Sequence, residues 1–152
     1  MSSQSQSQHR ELVAFRTADQ DFSVDIMSVR EIRMWSHATK LPNAPEYVCG
    51  VINLRGAVVP IIDLSARLGS GDTPTSDRNV IIIIGIGSKT VGILVEAVFD
   101  ILSVPQSEIQ PPPDLGGEKG VAAIDGLIPR DDGMIRIVNL GRVVPIADSL
   151  VN

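Results

Sequence analysis

The run Gly85-Ile86-Gly87-Ser88-Lys89-Thr90 is the part of the chain that comes nearest to a chemical motif. Glycines ahead of a Lys and a hydroxyl residue are what a phosphate-binding loop uses to wrap backbone N–H groups around an anion. That loop needs Gly directly before the Lys and a helix directly after it. Here Ser88 precedes Lys89 and an apolar strand pattern follows, so a hairpin turn is the better reading. His9 lies in a polar N-terminal stretch and His37 beside a proline-containing segment, and neither has a second His or Cys at ligand spacing. A zinc site therefore has no ligand set. Cys49, the sole thiol, is either a nucleophile or a small buried hydrophobe, and its neighbours Val48, Gly50 and Val51 favour the second. Asp25, Glu31, Asp63 and Glu96 are spread over expected caps and strand ends, with nothing to mark a general-acid pair. The sequence leads us to expect no catalytic residue, no metal and no cofactor. A binding or scaffolding role is then the default.

One cation stands in different company. The stretch Tyr47 to Leu64 carries apolar runs on both sides of Asn53-Leu54-Arg55-Gly56, which reads as two strands joined by a tight turn with Arg55 at the bend. A guanidinium offers five donors and stays charged, so one held between rigid strands would keep a fixed orientation toward a partner's carboxylates or carbonyls. The plain alternative is a solvated turn residue.

The elements that must position these residues follow from composition. Val and Ile supply 35 of the 152 residues while aromatics are 3%, so the core is aliphatic and rich in β-branched side chains that prefer the pleated sheet. The net charge of -5 and the five aromatic residues argue against nucleic acid, which needs clustered cations and stacking surfaces. A lone cysteine forms no internal disulfide and fits a reducing compartment. No apolar run reaches the roughly 18 to 20 residues of a membrane span, so no membrane insertion is expected. Residues 1–10 read as a disordered polar tail without the apolar core of a signal peptide, and 11–152 as a single domain.

Along that domain, Leu12 to Phe15 and Phe22 to Ile26 form an expected hairpin. Asp25 caps one helical turn over Ile26, Met27 and Ser28, and a half-buried strand with apolar members Val29 and Ile32 follows. Asp63 caps a short helix Leu64 to Leu68 that stops at Gly69. Ile81-Ile82-Ile83-Ile84 is apolar on both faces and must be a covered inner strand, returned by Val91 to Val95. Glu96 to Leu102 is extended, with Pro105 and Pro111-Pro112-Pro113 forcing open structure. Val121 to Ile124 and Gly126 to Pro129 make a weaker strand pair, and Met134 to Val138 the last strand. The stretch Asn53 to Asp63 also echoes Asn139 to Asp148, a hint of two lobes. About ten short strands with few helices mark an all-β fold of small barrels.

Pro42-Asn43-Ala44-Pro45, Tyr47-Val-Cys-Gly50-Val-Ile-Asn53-Leu54-Arg55-Gly56 and Val59-Pro60-Ile61-Ile62-Asp63-Leu64 together resemble the CheW family of bacterial chemotaxis coupling proteins. The resemblance extends over Phe22 to Ile26, Val29 to Ile32, Val91 to Val98 and Gly133 to Ile135. It implies two intertwined five-stranded β-barrel subdomains and no enzymatic activity. It further implies a cytoplasmic adaptor at receptor arrays that couples the tip of a methyl-accepting chemoreceptor to the regulatory domain of the histidine kinase CheA. By position, Val29, Gly50, Arg55 and Gly92 fall in the family's receptor-contacting groove, with Ile26 and Glu31 beside it. The kinase-contacting residues stay unassigned. Two readings compete with the receptor adaptor: a coupling protein of a related pathway with another output such as twitching, and an OB-type nucleic-acid binder, disfavoured by charge. Within the groove reading, Arg55→Ala and Gly50→Asp are expected to spare the fold. Cys49 stands where relatives often carry Lys, and Gly141 and Pro145 are expected to interrupt a C-terminal helix.

Overall fold

The structure, a computed structural model, describes residues 8–112 and 123–144 of the chain. Ten strands form two five-stranded sheets, ordered β8-β1-β2-β10-β9 and β3-β6-β7-β5-β4. In the first sheet, β1 (His9–Thr17) and β2 (Gln20–Asp25) are followed, after the chain has built the second sheet, by β8 (Ala97–Pro105), β9 (Ile124–Arg130) and β10 (Gly133–Val138). The second contains β3 (Val29–Met34), β4 (Val48–Leu54), β5 (Ala57–Asp63), β6 (Val80–Ile86) and β7 (Lys89–Val95). The lobes are thus intertwined, and they share one topology. In each, a parallel pair, β2 with β10 or β5 with β7, sits among antiparallel neighbours.

The Ile81 to Ile84 run shows why the sheets stand back to back. Side chains alternate faces along a strand. Ile82 and Ile84 enter a core cluster shared by both lobes, whereas Ile81 and Ile83 enter the second lobe's own cluster with Ile52, Leu54, Val59, Ile61 and Leu94. Phe15 and Phe22 stack at 6.0 Å in the shared cluster from the first lobe's side. Leu12, Val104, Ile128, Ile135 and Ile137 fill the first lobe's own interior.

The expected closed barrels are instead open sheets. In each, the end strands do not pair with one another, and only the chain leaving one end strand reaches the other, through a single bridge. Thr39 and Val51 exchange two backbone hydrogen bonds of 2.8 Å, and Gln110 and Leu127 exchange two of 2.9 and 2.8 Å. Prolines follow both bridges, Pro42 and Pro45 after the first and Pro111 and Pro112 after the second, and their missing N–H groups stop pairing from spreading. Each of the four end strands also carries a β-bulge in its pairing with its neighbour, which blunts exposed edges.

Both expected caps are present. Asp25 Oδ1 accepts from Met27 N at 2.9 Å over a 3-10 turn, Ile26–Ser28. Asp63 Oδ1 accepts from Ala66 N at 3.3 Å at the start of α1 (Leu64–Arg67), and Gly69 ends it at φ +86°. Asn139 caps α2 (Leu140–Val143) in the same way, through Arg142 N at 3.2 Å. Asn139 therefore matches Asp63, not Asn53. The echo read from sequence aligned a helix cap with a hairpin turn, and the true repeat is strand, cap and helix. Gly141 lies inside α2 and does not prevent it, while Pro145 falls outside the described residues.

Three further boundaries differ from expectation. Strand β1 takes in His9 and Arg10, inside the stretch read as a tail, and Arg10 pairs with Asp25 at 3.3 Å. Residues 124–130 form one continuous strand paired to β10, so the expected strand pair there is a single element; Val121 and Ala122 lie outside the described residues. Lys89 and Thr90 belong to β7, which leaves a two-residue turn and no phosphate loop.

Gly50 explains the tight bridge. A Cβ on it would lie 2.3 Å from the Thr39 carbonyl oxygen, and its φ is +143°. The expectation that Gly50→Asp spares the fold is therefore overturned, because the close approach is made by the chain's own backbone. Even Gly50→Ala is expected to destabilise by about 3 kcal/mol through overpacking and backbone strain, read as a lowered urea midpoint. Gly92→Ala, whose Cβ would meet Ile61 Cδ1 at 2.5 Å and Ile81 Cγ2 at 2.8 Å, should also destabilise, but by less, because it meets side chains and not backbone and the Ile61 tip can move.

Candidate functional site

The β4–β5 hairpin turns on two residues of positive φ, Arg55 at +51° and Gly56 at +90°, as a type I′ turn requires. Asn53 Oδ1 accepts from Gly56 N at 2.8 Å and locks the bend. Positive φ is unfavourable for Arg, so Arg55 occupies a strained position that Gly would fill at less cost.

Arg55 is not a free cation. Its Nη2 donates to Glu31 Oε1 at 2.5 Å, and Arg33 Nη1 donates to Glu31 Oε2 at 3.1 Å. The ion pair joins β3 at one end of the sheet to the β4–β5 turn at the other. It is a second tie across the gap that the Thr39–Val51 bridge spans. The Arg55 hydrogen bond, and then that of Arg33, hold the Glu31 carboxyl below the usual carboxylate range. Glu31 raises the Arg55 guanidinium in return.

A bulge at Arg30 sorts the side chains of β3. Val29 pairs with Ile84 and Ile32 with Ile82, on the face of the shared core, while Glu31 pairs with Ile83 and Arg33 with Ile81, on the face of the lobe's own interior. The strand is therefore inverted. Charged Glu31 and Arg33 are half-buried, and Ile32 and Met34 are 42% and 74% exposed. The sequence reads β3 as a half-buried strand with apolar members Val29 and Ile32, of which Val29 is half-buried and Ile32 is exposed. The alternation itself was visible, but only the Arg55 counter-ion reveals which face turns inward.

The structure places the other expected residues as follows. Glu31, Ile83, Gly92, Ile61 and Gly50 form one continuous row across the sheet. The two glycines in it are buried and face the second lobe's interior and the 35–40 segment, so neither offers an open contact. Val29 is half-buried at the margin of the shared core, and Ile26 packs against that core just before it. The opposite margin, on β8, exposes Phe99 and Ile101 at 49% and 58%, a feature that no sequence pattern flagged. Ile101 pairs with Val13 of the shared core as Ile32 pairs with Ile82, so both end strands mark where that core runs out.

Among the described residues no cluster of His, Cys, Asp and Glu could hold a metal ion. Cys49 sits at the β4 bulge, and burial, followed by the charges of Asp63 and Asp72, pushes its thiol up to about 11. The thiolate fraction at pH 8 is then on the order of a hundredfold below that of a free cysteine. Alkylation by iodoacetamide in the folded state should slow accordingly. A rate equal to that in urea would contradict the burial.

For Glu31, a folded value below the ordinary 4.5 means the ion pair contributes fully above that pH and is lost as pH falls through the lower folded value. The stability difference between wild type and Glu31→Gln should be greatest near neutrality and vanish in acid, measured as urea midpoints over a pH series.

The CheW-like domain family profile matches residues 11–147. The chain is 51% identical over 142 residues to the chemotaxis protein CheW of Rhizobium meliloti, covering 90% of this chain and 88% of that one. It is 30% identical over 135 residues to the chemotaxis protein CheW of Klebsiella aerogenes, covering 89% and 81%. The crystal structure of the scaffolding protein TtCheW from Thermoanaerobacter tengcongensis superposes with a TM-score of 0.82 at 33% identity, covering 91% of this chain and 89% of that one. No helix among the described residues is long and apolar enough to cross a membrane. With its two open lobes, its shared core and these similarities, the chain belongs to the CheW family of non-enzymatic chemotaxis coupling scaffolds.

Proposed function

We propose that the margin of the shared core along β3 docks the cytoplasmic tip of a methyl-accepting chemoreceptor, and that the chain bridges it to the regulatory domain of a CheA-type histidine kinase. The site of action is the cytoplasm, at receptor arrays on the inner face of the membrane. The observation that carries the reading is the inverted strand: apolar Ile32 and Met34 are exposed on one face of β3, and on its other face Glu31 fixes the Arg55 guanidinium. A helical receptor tip would lay its apolar face against Val29, Ile32 and Met34, with Ile26 supporting them from the shared core. Arg55, 70% exposed, keeps donors for a carboxylate or carbonyl at the rim and sets the register. Gly50 and Gly92 act by supporting the row that carries Glu31, Gly50 by admitting the Thr39 backbone and Gly92 by leaving room for the Ile61, Ile81 and Ile83 side chains. The net charge of -5 and the five aromatic residues argue against the nucleic-acid alternative.

Capture on an immobilised receptor cytoplasmic fragment and on a CheA regulatory domain, separately and together, tests the proposal. Arg55→Gly relieves the turn and should melt within about 3 °C of wild type. It should nonetheless bind the receptor fragment roughly tenfold more weakly, the value of one lost charge-assisted hydrogen bond. Ile32→Asp should do the same from the apolar side, and both should retain the kinase domain. Undiminished receptor capture by both variants would sink the docking face.

A further inference from the structure

We propose that Met27 and Met34 form a reversible oxidation site whose conversion to sulfoxides releases the partner from the β3 face. The inference rests on the receptor-docking reading above. Met27 is 88% exposed on the 3-10 turn before β3, and Met34 is 74% exposed at the strand's far end, so the two flank Val29 and Ile32. Neither belongs to a buried cluster. Among the described residues Met27 donates its backbone N–H to Asp25, and Met34 contributes backbone pairing to Val80. A change at either sulfur therefore leaves the fold intact and alters only the surface.

The chemistry needs a two-electron oxidant of the peroxide class. A thioether lone pair attacks one peroxide oxygen, the S–O bond forms as the O–O bond breaks, and the departing hydroxide takes the proton from the new S–OH group and leaves as water. Sulfur is oxidised by two electrons and the peroxide is reduced. The product carries a strong acceptor where the surface was apolar, so docking would have to desolvate it. Sulfoxide reductases that draw electrons from a dithiol reverse the step. Cys49 does not compete, since its half-buried thiol is held protonated at neutral pH and the thiolate is the reactive form. Met134, 44% exposed on β10 of the other lobe, serves as an internal comparison.

The experiment treats the full chain with hydrogen peroxide, maps sulfoxides by peptide mass, and measures capture on the receptor fragment, each protein against its own untreated sample. Oxygen should appear on Met27 and Met34 ahead of Met134, capture should fall by about tenfold, and sulfoxide reductases with a dithiol should restore it. Met27→Leu/Met34→Leu should show no drop on treatment, while Met134→Leu should drop as wild type does. Met34→Gln should mimic the oxidised state without peroxide. Full capture by protein carrying both sulfoxides would overturn the proposal and leave the docking reading standing. An equal drop in the double Leu variant would place the lesion elsewhere and overturn it as well. Untreated wild type that fails to bind the fragment would overturn both.

Discussion

Strands with apolar residues on both faces need cover on both faces. Ile81 to Ile84 impose that condition on β6, and Ile61, Ile62, Ile93 and Leu94 repeat it on β5 and β7. One five-stranded sheet can curl over one face only. The other must find a second sheet, so the chain builds two lobes and places them back to back. Among the described residues the shared cluster holds 16 buried side chains against 7 and 5 in the lobes' own interiors. Most of the hydrophobic driving force therefore lies between the lobes, and neither lobe would keep its shape alone. The threading of β1 and β2 into a lobe completed by β8 to β10 makes separation impossible without unfolding. Arg67 adds a polar tie at the same junction, donating to the Val143 carbonyl at 2.7 Å while its guanidinium lies 5.0 Å over the Tyr47 ring.

A shared core of this kind has margins. It is covered where inner strands oppose each other and uncovered where the end strands β3 and β8 pass. Ile32, Met34, Phe99 and Ile101 are exposed for that reason, and not because the chain has a surplus of surface hydrophobes. Bulges at Arg30 and Phe99 bend both strands at equivalent points. Identical topology thus yields two related apolar edges. The β3 edge adjoins the Glu31–Arg33–Arg55 cluster and the Phe99 end of the β8 edge lies by Arg16, Asp21 and Glu96, so one fold offers two chemically distinct faces.

How much of this was legible in the sequence depended on how local the cause was. Asp25 and Asp63 announce themselves because a cap is a contact between residues two or three apart. The Ile81 to Ile84 run declares an inner strand because nothing else tolerates four consecutive buried isoleucines. Arg55 could be placed at a bend from the turn residues around it. Its partner could not, since Glu31 lies 24 positions earlier and becomes a neighbour only when the sheet curls. The inward turn of Glu31 and Arg33 was hidden for the same reason. Period-two alternation names two faces without saying which is covered, and the bulge at Arg30 shifts the pattern partway along the strand. Gly50 and Gly92 were recognisable as special, yet the contacts that require them, Thr39 and Ile61, are set by the fold alone.

The Glu31–Arg55 pair also bears on how a scaffold can bind without binding too well. A guanidinium at 70% exposure in a strained turn would wander and lose entropy on capture if nothing held it. Glu31 holds it beforehand, so much of that ordering is complete before any partner arrives. The same carboxylate occupies part of the donor fork, so in the proposed docking a partner oxygen would have to share or displace it. Exchanging one carboxylate for another changes the electrostatic energy little, which keeps a single contact modest and quickly reversible. For a protein whose proposed work is to hold two others at once, modest contacts suffice, because the second is made at the high effective concentration that the first creates. A tighter, permanently satisfied site would gain affinity and lose the capacity to respond.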